Sequence, residues 1–375
     1  MDIKKLKNLV IQFQKNRDYY HDAKNAYNEQ SCRDEYISPL LECFGWDVQN
    51  AAGKDPQYRE VRVEKVTRKT DRIDYTLTLN GVDKIFVEAK KPMVDITRDP
   101  EPAKQARRYG YNAKHSVAVL TNFEDLMIYD VTYEPKESDD ARVALYKHYN
   151  YTDYVSKYAE IAKILLRDNV YDGHFDSLVN TEFITDTRDR IQVDRLFLQL
   201  INGWRKGIGE YLYSKDAKYH DEEVLNDSVQ SFINQIIFLR ICEDNNLPLY
   251  QNLKSVAGDR EKLKSEMHSL ITAADKRYNS GLFKSDDAIL DLSVDVIWEV
   301  IDSIYYPKSP YLFNVIEPSL LGKIYETYLT QKLVVNNRSH SVALGDKEEY
   351  LFRSVVTTPI ELVKSMVKMA LTPIC

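Results

Sequence analysis

Asp74 and, fourteen residues later, the triplet Glu88-Ala89-Lys90 carry residue types suited to one reaction class. Hydrolysing a phosphodiester needs a cation to neutralise the nonbridging and leaving oxygens, an activated water, and stabilisation of the developing charge. Mg²⁺ is hard and keeps several waters, so one or two protein carboxylates plus a substrate phosphate satisfy it. Asp74 and Glu88 are candidates for those carboxylates. Lys90 lies two residues beyond Glu88, on the same face of a strand, and is a candidate to orient or polarise the attacking water. An acid-x-lysine triplet is common in a chain with 29% charged residues, and a solvated strand end is its ordinary meaning.

The chemistry therefore depends on the elements that position these groups. IDYTLTL, 73–79, alternates, placing Asp74, Thr76 and Thr78 on one face and Ile73, Tyr75, Leu77 and Leu79 on the other. Asn80-Gly81 marks a hairpin turn into DKIFVEAK. A plain two-residue turn pairs Asp74 with Val87 and sends Glu88 to the wrong face. The site thus requires either a three-residue turn, Asn80 to Val82, or a β-bulge that shifts the register.

Around this hairpin the chain alternates helix and strand signals. Residues 2 to about 44 read as two helical segments ending at Gly45. REVRVEKVT, IDYTLTL and DKIFVEAK follow as strands, then a helix over AKQARRYGY, then SVAVLTNF and LMIYDVTY as strands. Residues 134–142 read as a charged loop. From about Tyr149 long segments with helical spacing take over, including 194–213, 223–246, 287–306 and 318–333. The order predicts an α/β (α+β) core with a mixed sheet, followed by an all-α region. In the tail, TTPIELVKSMVKMALTPIC, Thr358 is placed to cap a last helix and Pro359 to start it.

The hairpin and its flanks together resemble the PD-(D/E)xK nucleases. DYTLTLNGVDKIFVEAKKP supplies Asp74 as the first acid and Glu88-Ala89-Lys90 as the ExK triplet. NEQSCRDEYISPLLECFGWDV, 28–48, resembles the opening helix of the nuclease domain of type I and type IIG restriction enzymes, with Glu29 and Arg33 at its acid and arginine positions and Glu35 as a second candidate acid. Gln105 and Tyr109 stand at the QxxxY spacing of that branch, and LTNFEDLMIYD, 120–130, is similar to its closing strand pair. The resemblance implies a restriction-endonuclease-like fold and Mg²⁺ held by Asp74, Glu88 and the backbone of Ala89. It implies that Glu29 approaches the metal and that Gln105 helps position double-stranded DNA. It gives Lys91, Arg107, Arg108 and Lys114 as phosphate contacts, whose DNA affinity falls with salt. Read as residues alone, Gln105 and Tyr109 could simply pack on one helix face, and the cations could be solvated.

Segments 194–205, 229–247 and 320–329 resemble the helical connector of type IIG enzymes. Arg240, Glu243 and Asp244 lie in one of them. The tail resembles the motif preceding the S-adenosylmethionine site of N6-adenine methyltransferases, with Thr357 where tyrosine is usual. That family's glycine-rich cofactor loop and its Asn/Asp-Pro-Pro-aromatic motif do not follow. The resulting expectation is a nuclease domain over 1–150, a helical connector over 151–335 and the start of a truncated methyltransferase over 336–375. In this division, methylation, S-adenosylmethionine and target recognition belong to a longer parent protein. The rival readings are a catalytically silent DNA-binding module and a protein known chiefly as a methyltransferase.

Composition sets the remaining bounds. With 51 basic and 58 acidic side chains the net charge is −7, so nucleic-acid binding would have to rest on a local basic face. Cys32, Cys43, Cys242 and Cys375 are scattered, which speaks against a zinc site or a disulfide framework and for a reducing cytoplasm. There is no membrane-length apolar run and no signal peptide.

Overall fold

A computed structural model describes residues 3–63, 73–183, 193–245, 247–249, 252–279, 281–283, 287–316, 330–336, 339–347 and 360–371, with residues 322, 324 and 326 besides. It divides into two compact units: residues 1–195 with 303–316, and residues 196–302 with 317–375.

The first unit is built on a six-stranded sheet in the order β1 (Val61–Val63), β2 (Tyr75–Leu79), β3 (Val82–Ala89), β4 (Val117–Thr121), β5 (Asp125–Asp130), β6 (Leu145–Asn150). All neighbours are antiparallel except β3 and β4, which run parallel, so the sheet is mixed. The parallel step is carried by α4 (Pro100–Asn112), the crossover such a pair requires. Asp99 caps that helix through Glu101 N at 3.1 Å, and Pro100 takes its first position.

Strand alternation sorts the core to two faces. Tyr75, Leu77, Ile85, Val87, Ala89, Val117 and Val119 share one apolar cluster with Leu6, Leu9 and Phe13 of α1 (Ile3–His21) and Leu40 and Leu41 of α3 (Ser38–Cys43). Ala118, Leu120, Met127 and Tyr129 face the other way, onto Ala103 and Ala106 of α4. The second helical segment runs from α2 (Glu29–Cys32) through a π-helical turn (Arg33–Ile37) into α3. It ends at Gly45, whose φ of +90° favours glycine, with Gly45 N on Glu42 O and Trp46 N on Leu41 O.

Several expectations change at this level. β6 lies past the charged loop of 134–142 and carries no strand expectation; only Tyr149 of its six residues is fully buried, which leaves little alternation to see. The first unit does not close near residue 150. Tyr158, Ile161 and Leu165 of α5 (Tyr158–Leu165), Val170 of α6 (Arg167–Tyr171) and Phe175 of α7 (His174–Leu178) complete the cluster beneath the sheet. Residues 303–316 also belong to this unit. Asn112, fully buried, donates to Pro310 O at 2.6 Å and accepts from Leu312 N at 3.0 Å.

The second unit is mainly helical: α8 (Val193–Lys215), α9 (Glu222–Asp244), α10 (Asn252–Ala257), α11 (Leu263–Tyr278), α12 (Asp287–Asp291) and α13 (Val294–Asp302). It is not all-helical, because β7 (Gln331–Asn336) and β8 (Ser341–Asp346) form a hairpin against α9, with Asn226 and Glu222 bonded to the β7 backbone. Arg240 is buried and pairs with Asp244 and Glu243, and Glu243 accepts from Lys254 N, so all three serve the unit's interior. Gly207-Ile208-Gly209 lies inside α8, not in the strand-to-helix turn a cofactor loop needs. A last helix, α14 (Ile360–Leu371), is present, but Thr357, Thr358 and Pro359 lie outside the described residues. Among the described residues no helix is long and apolar enough to cross a membrane.

Candidate active site

The hairpin meets the geometric requirement through a bulge. Asn80 and Gly81 both have positive φ, +50° and +83°, and form a two-residue turn in which Leu79 faces Val82 and Thr78 faces Asp83. The register then slips: Leu77 faces Ile85, Thr76 faces Phe86 and Tyr75 faces Val87, leaving Lys84 unopposed. The carbonyl of this extra residue meets His115 Nδ1 at 3.1 Å. Carrying the ladder one step further brings Asp74 opposite Glu88. The turn is therefore the simple one, and the bulge does the shifting.

Asp74 sits just before β2 and is buried. Its Oδ1 accepts from Arg33 Nη1 at 2.6 Å, and its Oδ2 accepts from the Ala89 backbone N–H at 2.8 Å. Glu88, 1% exposed, faces the α4 side of the sheet beside Leu120. Its Oε1 accepts from Lys90 Nζ, while Oε2 is buried with no hydrogen-bond partner. Lys90 is anchored by its backbone N–H on Thr121 O at 2.9 Å, and its ammonium also lies 3.8 Å from Glu29 Oε2. Glu29 starts α2, after the Asn28 cap, and is the first-helix acid that reaches the site. Glu35 is exposed and hydrogen-bonded by Tyr27 at 3.2 Å.

The electrostatics follow from burial. Desolvation, with Asp74 adding repulsion, pushes Glu88 up to about 8 against the pull of Lys90. Desolvation also raises Asp74 despite Arg33 and the Ala89 N–H, and it raises Glu29 despite Lys90. Burial pulls Lys90 down, but Glu88 and Glu29 outweigh it and hold the ammonium charged. Three carboxylates, Asp74, Glu88 and Glu29, share two cations, Arg33 and Lys90, and one carboxylate oxygen is unmet, so the site can take a further positive charge. The unmet Glu88 Oε2 and the adjacent Asp74 carboxylate are the donors a hard divalent cation uses. Among the described residues no group of three or more His, Cys, Asp or Glu side chains gathers as a cage.

The flanking candidates divide. Tyr109 packs edge-on against Phe86 at 5.3 Å, which couples α4 to β3 two residues before Glu88. Gln105 is half-buried one turn earlier, Lys91 is half-buried and Lys114 is exposed. Two cations leave the phosphate-contact set. Arg107 is 1% exposed and bonded to Asp139 at 2.7 Å, and Arg108 is buried with its guanidinium over the Tyr306 ring at 4.5 Å. Their partners, a charged loop and a segment some two hundred residues away in sequence, gave no local signal. Arg33, the arginine position of the opening-helix resemblance, bonds Asp74 directly at 2% exposure.

Comparison with known proteins adds to this geometry. Residues 26–137 match the family described as Type I restriction enzyme R protein N terminus. Over 378 aligned residues the chain is 39% identical to the Type II restriction enzyme and methyltransferase RM.Eco57I of Escherichia coli, covering 99% of this chain and 37% of that protein. The chain thus spans well under half the length of that relative. No solved structure matches it.

Proposed function

We propose, on the premise that residues 26–137 form a type I restriction R-protein N-terminal domain, that the first unit is the nuclease module of a restriction-modification protein. It hydrolyses phosphodiester bonds of double-stranded DNA with Mg²⁺. The observation that carries this is the convergence of Asp74, Glu88 and Lys90 across a bulged hairpin, with Glu88 Oε2 left unmet.

Asp74, Glu88 and the Ala89 carbonyl would hold the metal, which supplies charge neutralisation at the scissile phosphate. The chain's own groups do the rest. Lys90 is held between Glu88 and Glu29, so its ammonium has one fixed position from which to orient a water. Arg33 and the Ala89 N–H fix both oxygens of Asp74. α4 presents Gln105 on the turn before Tyr109, and Lys91 and Lys114 offer charge to DNA phosphates. Methyltransferase and target-recognition domains, with S-adenosylmethionine, belong to the intact protein in this reading, by analogy with the relative's fused activities. Its compartment is the cytoplasm.

The test is cleavage of plasmid DNA by the intact protein in Mg²⁺ and in EDTA, compared with Lys90→Ala. Removal of a positioned water-activating group should slow cleavage about a thousandfold. Equal cleavage by both proteins at equal purity would remove Lys90 from the mechanism, and cleavage in EDTA would remove the metal.

A further inference from the structure

The two buried carboxylates of the site are not treated alike. Both oxygens of Asp74 already have protein donors, Arg33 Nη1 at 2.6 Å and Ala89 N at 2.8 Å, whereas Glu88 has one unmet oxygen. Arg33 is held to this task from several sides. Its Nη2 also points at the Asp74 carbonyl at 3.4 Å, its guanidinium lies 5.0 Å from the Tyr75 ring centroid, and its own carbonyl is met by Tyr75 OH at 3.4 Å. The π-turn that interrupts the helix begins at Arg33. Such a turn changes which face of the helix its side chains present, and it recurs at functional sites. A guanidinium cannot shed its proton in a protein, so its charge stays beside Asp74 at every working pH.

We propose that Arg33 is a positioning residue that serves Asp74 as a built-in counter-ion and competes with the divalent cation for that carboxylate, so that the metal binds weakly until a DNA phosphate adds its negative charge. The inference rests on the metal-nuclease reading above and deepens it. Asp74 and Glu29 are already matched by Arg33 and Lys90, and Glu88 adds at most one further negative charge, leaving room for at most one further positive charge. An incoming divalent cation overshoots that balance, and the phosphate restores it. Metal loading and DNA loading then become cooperative, with Arg33 as the cause.

The test is binding of Mn²⁺ alone, without DNA, by titration calorimetry of wild type, Asp74→Asn, Arg33→Gln and Arg33→Lys. Removing a fixed positive charge beside the ligand should tighten Mn²⁺ binding about tenfold in Arg33→Gln. Arg33→Lys keeps the charge with a looser grip and should fall between. Wild-type binding that is lost in Asp74→Asn, together with that ordering, supports the inference. Wild-type binding with unchanged or weaker binding in both Arg33 variants overturns the inference and leaves the nuclease reading intact. No Mn²⁺ binding by wild type, either alone or with a DNA duplex present, overturns both. Should Arg33→Gln not fold, Arg33→Lys alone decides, since a merely structural arginine predicts no tightening.

Discussion

Replacing Glu60 by glutamine tests whether α6, past residue 150, is fastened to the first unit's sheet. Glu60 is 4% exposed, just before β1, and its carboxylate gathers four partners. Arg167 of α6 donates from Nε and Nη2 at 2.8 Å each, Lys54 Nζ at 2.9 Å, Tyr171 OH at 3.3 Å and the Asp47 backbone at 3.3 Å. Burial alone would raise this carboxyl, but the Arg167 and Lys54 hydrogen bonds win and hold it down at about 2. A drop of about 2.5 units from an ordinary 4.5 corresponds to roughly 3 kcal/mol, and partial exposure of Arg167 and Lys54 reduces this to about 2 kcal/mol. Because the folded-state value is depressed, the stabilisation is fully present above pH 4.5 and disappears as pH falls toward 2. Urea unfolding of wild type and Glu60→Gln should therefore differ by about 2 kcal/mol at pH 7, with more than half of the gap gone near pH 3. A gap that stays constant from pH 7 to pH 3, or one below about 0.5 kcal/mol throughout, would show that α6 is not electrostatically fastened to the sheet.

Arg107→Met should destabilise the protein by about 2 kcal/mol in thermal melts, since it strips half-buried Asp139 of its guanidinium and leaves it only the Lys136 N–H, yet leave the salt dependence of DNA binding unchanged. Lys91→Ala should do the opposite: little change in melting, and a salt slope reduced by about one counterion in fluorescence-anisotropy titrations. Gly110→Ala should cost about 2 kcal/mol or more, because an added Cβ would come within 2.5 Å of Val131 Cγ2 at the α4–sheet contact; an unchanged melting temperature would contradict the packing described here.

Much of the site was legible because its parts are local. The Asp74 and Glu88 carboxylates, the Asn80-Gly81 turn and Lys90 all fall within seventeen residues of sequence, and strand alternation alone demanded a register shift between them. Where the shift falls was not legible, because the Lys84 carbonyl is turned out toward His115, and strand residues do not announce their neighbours. The fate of the α4 cations was hidden for the same reason. Arg107 and Arg108 look like surface charge until Asp139 and Tyr306 arrive from elsewhere in the chain. The hairpin of β7 and β8 escaped notice because its residues alternate weakly, with only Leu333 and Val342 deeply buried.

The return of residues 303–316 to the first unit has a consequence for how the protein is made. Buried Asn112 has only Arg108 O as a side-chain partner until Pro310 and Leu312 exist, yet the sheet and α4 are complete by residue 150. A ribosome adding roughly 5–20 residues per second needs on the order of ten to thirty seconds to travel from one to the other. During that interval the sheet and α4 are in place but unfastened. The first unit thus acquires its last buttress only after most of the helical unit has been synthesised, so nascent chains interrupted before that point hold a sheet with a loosened α4 beside the candidate site.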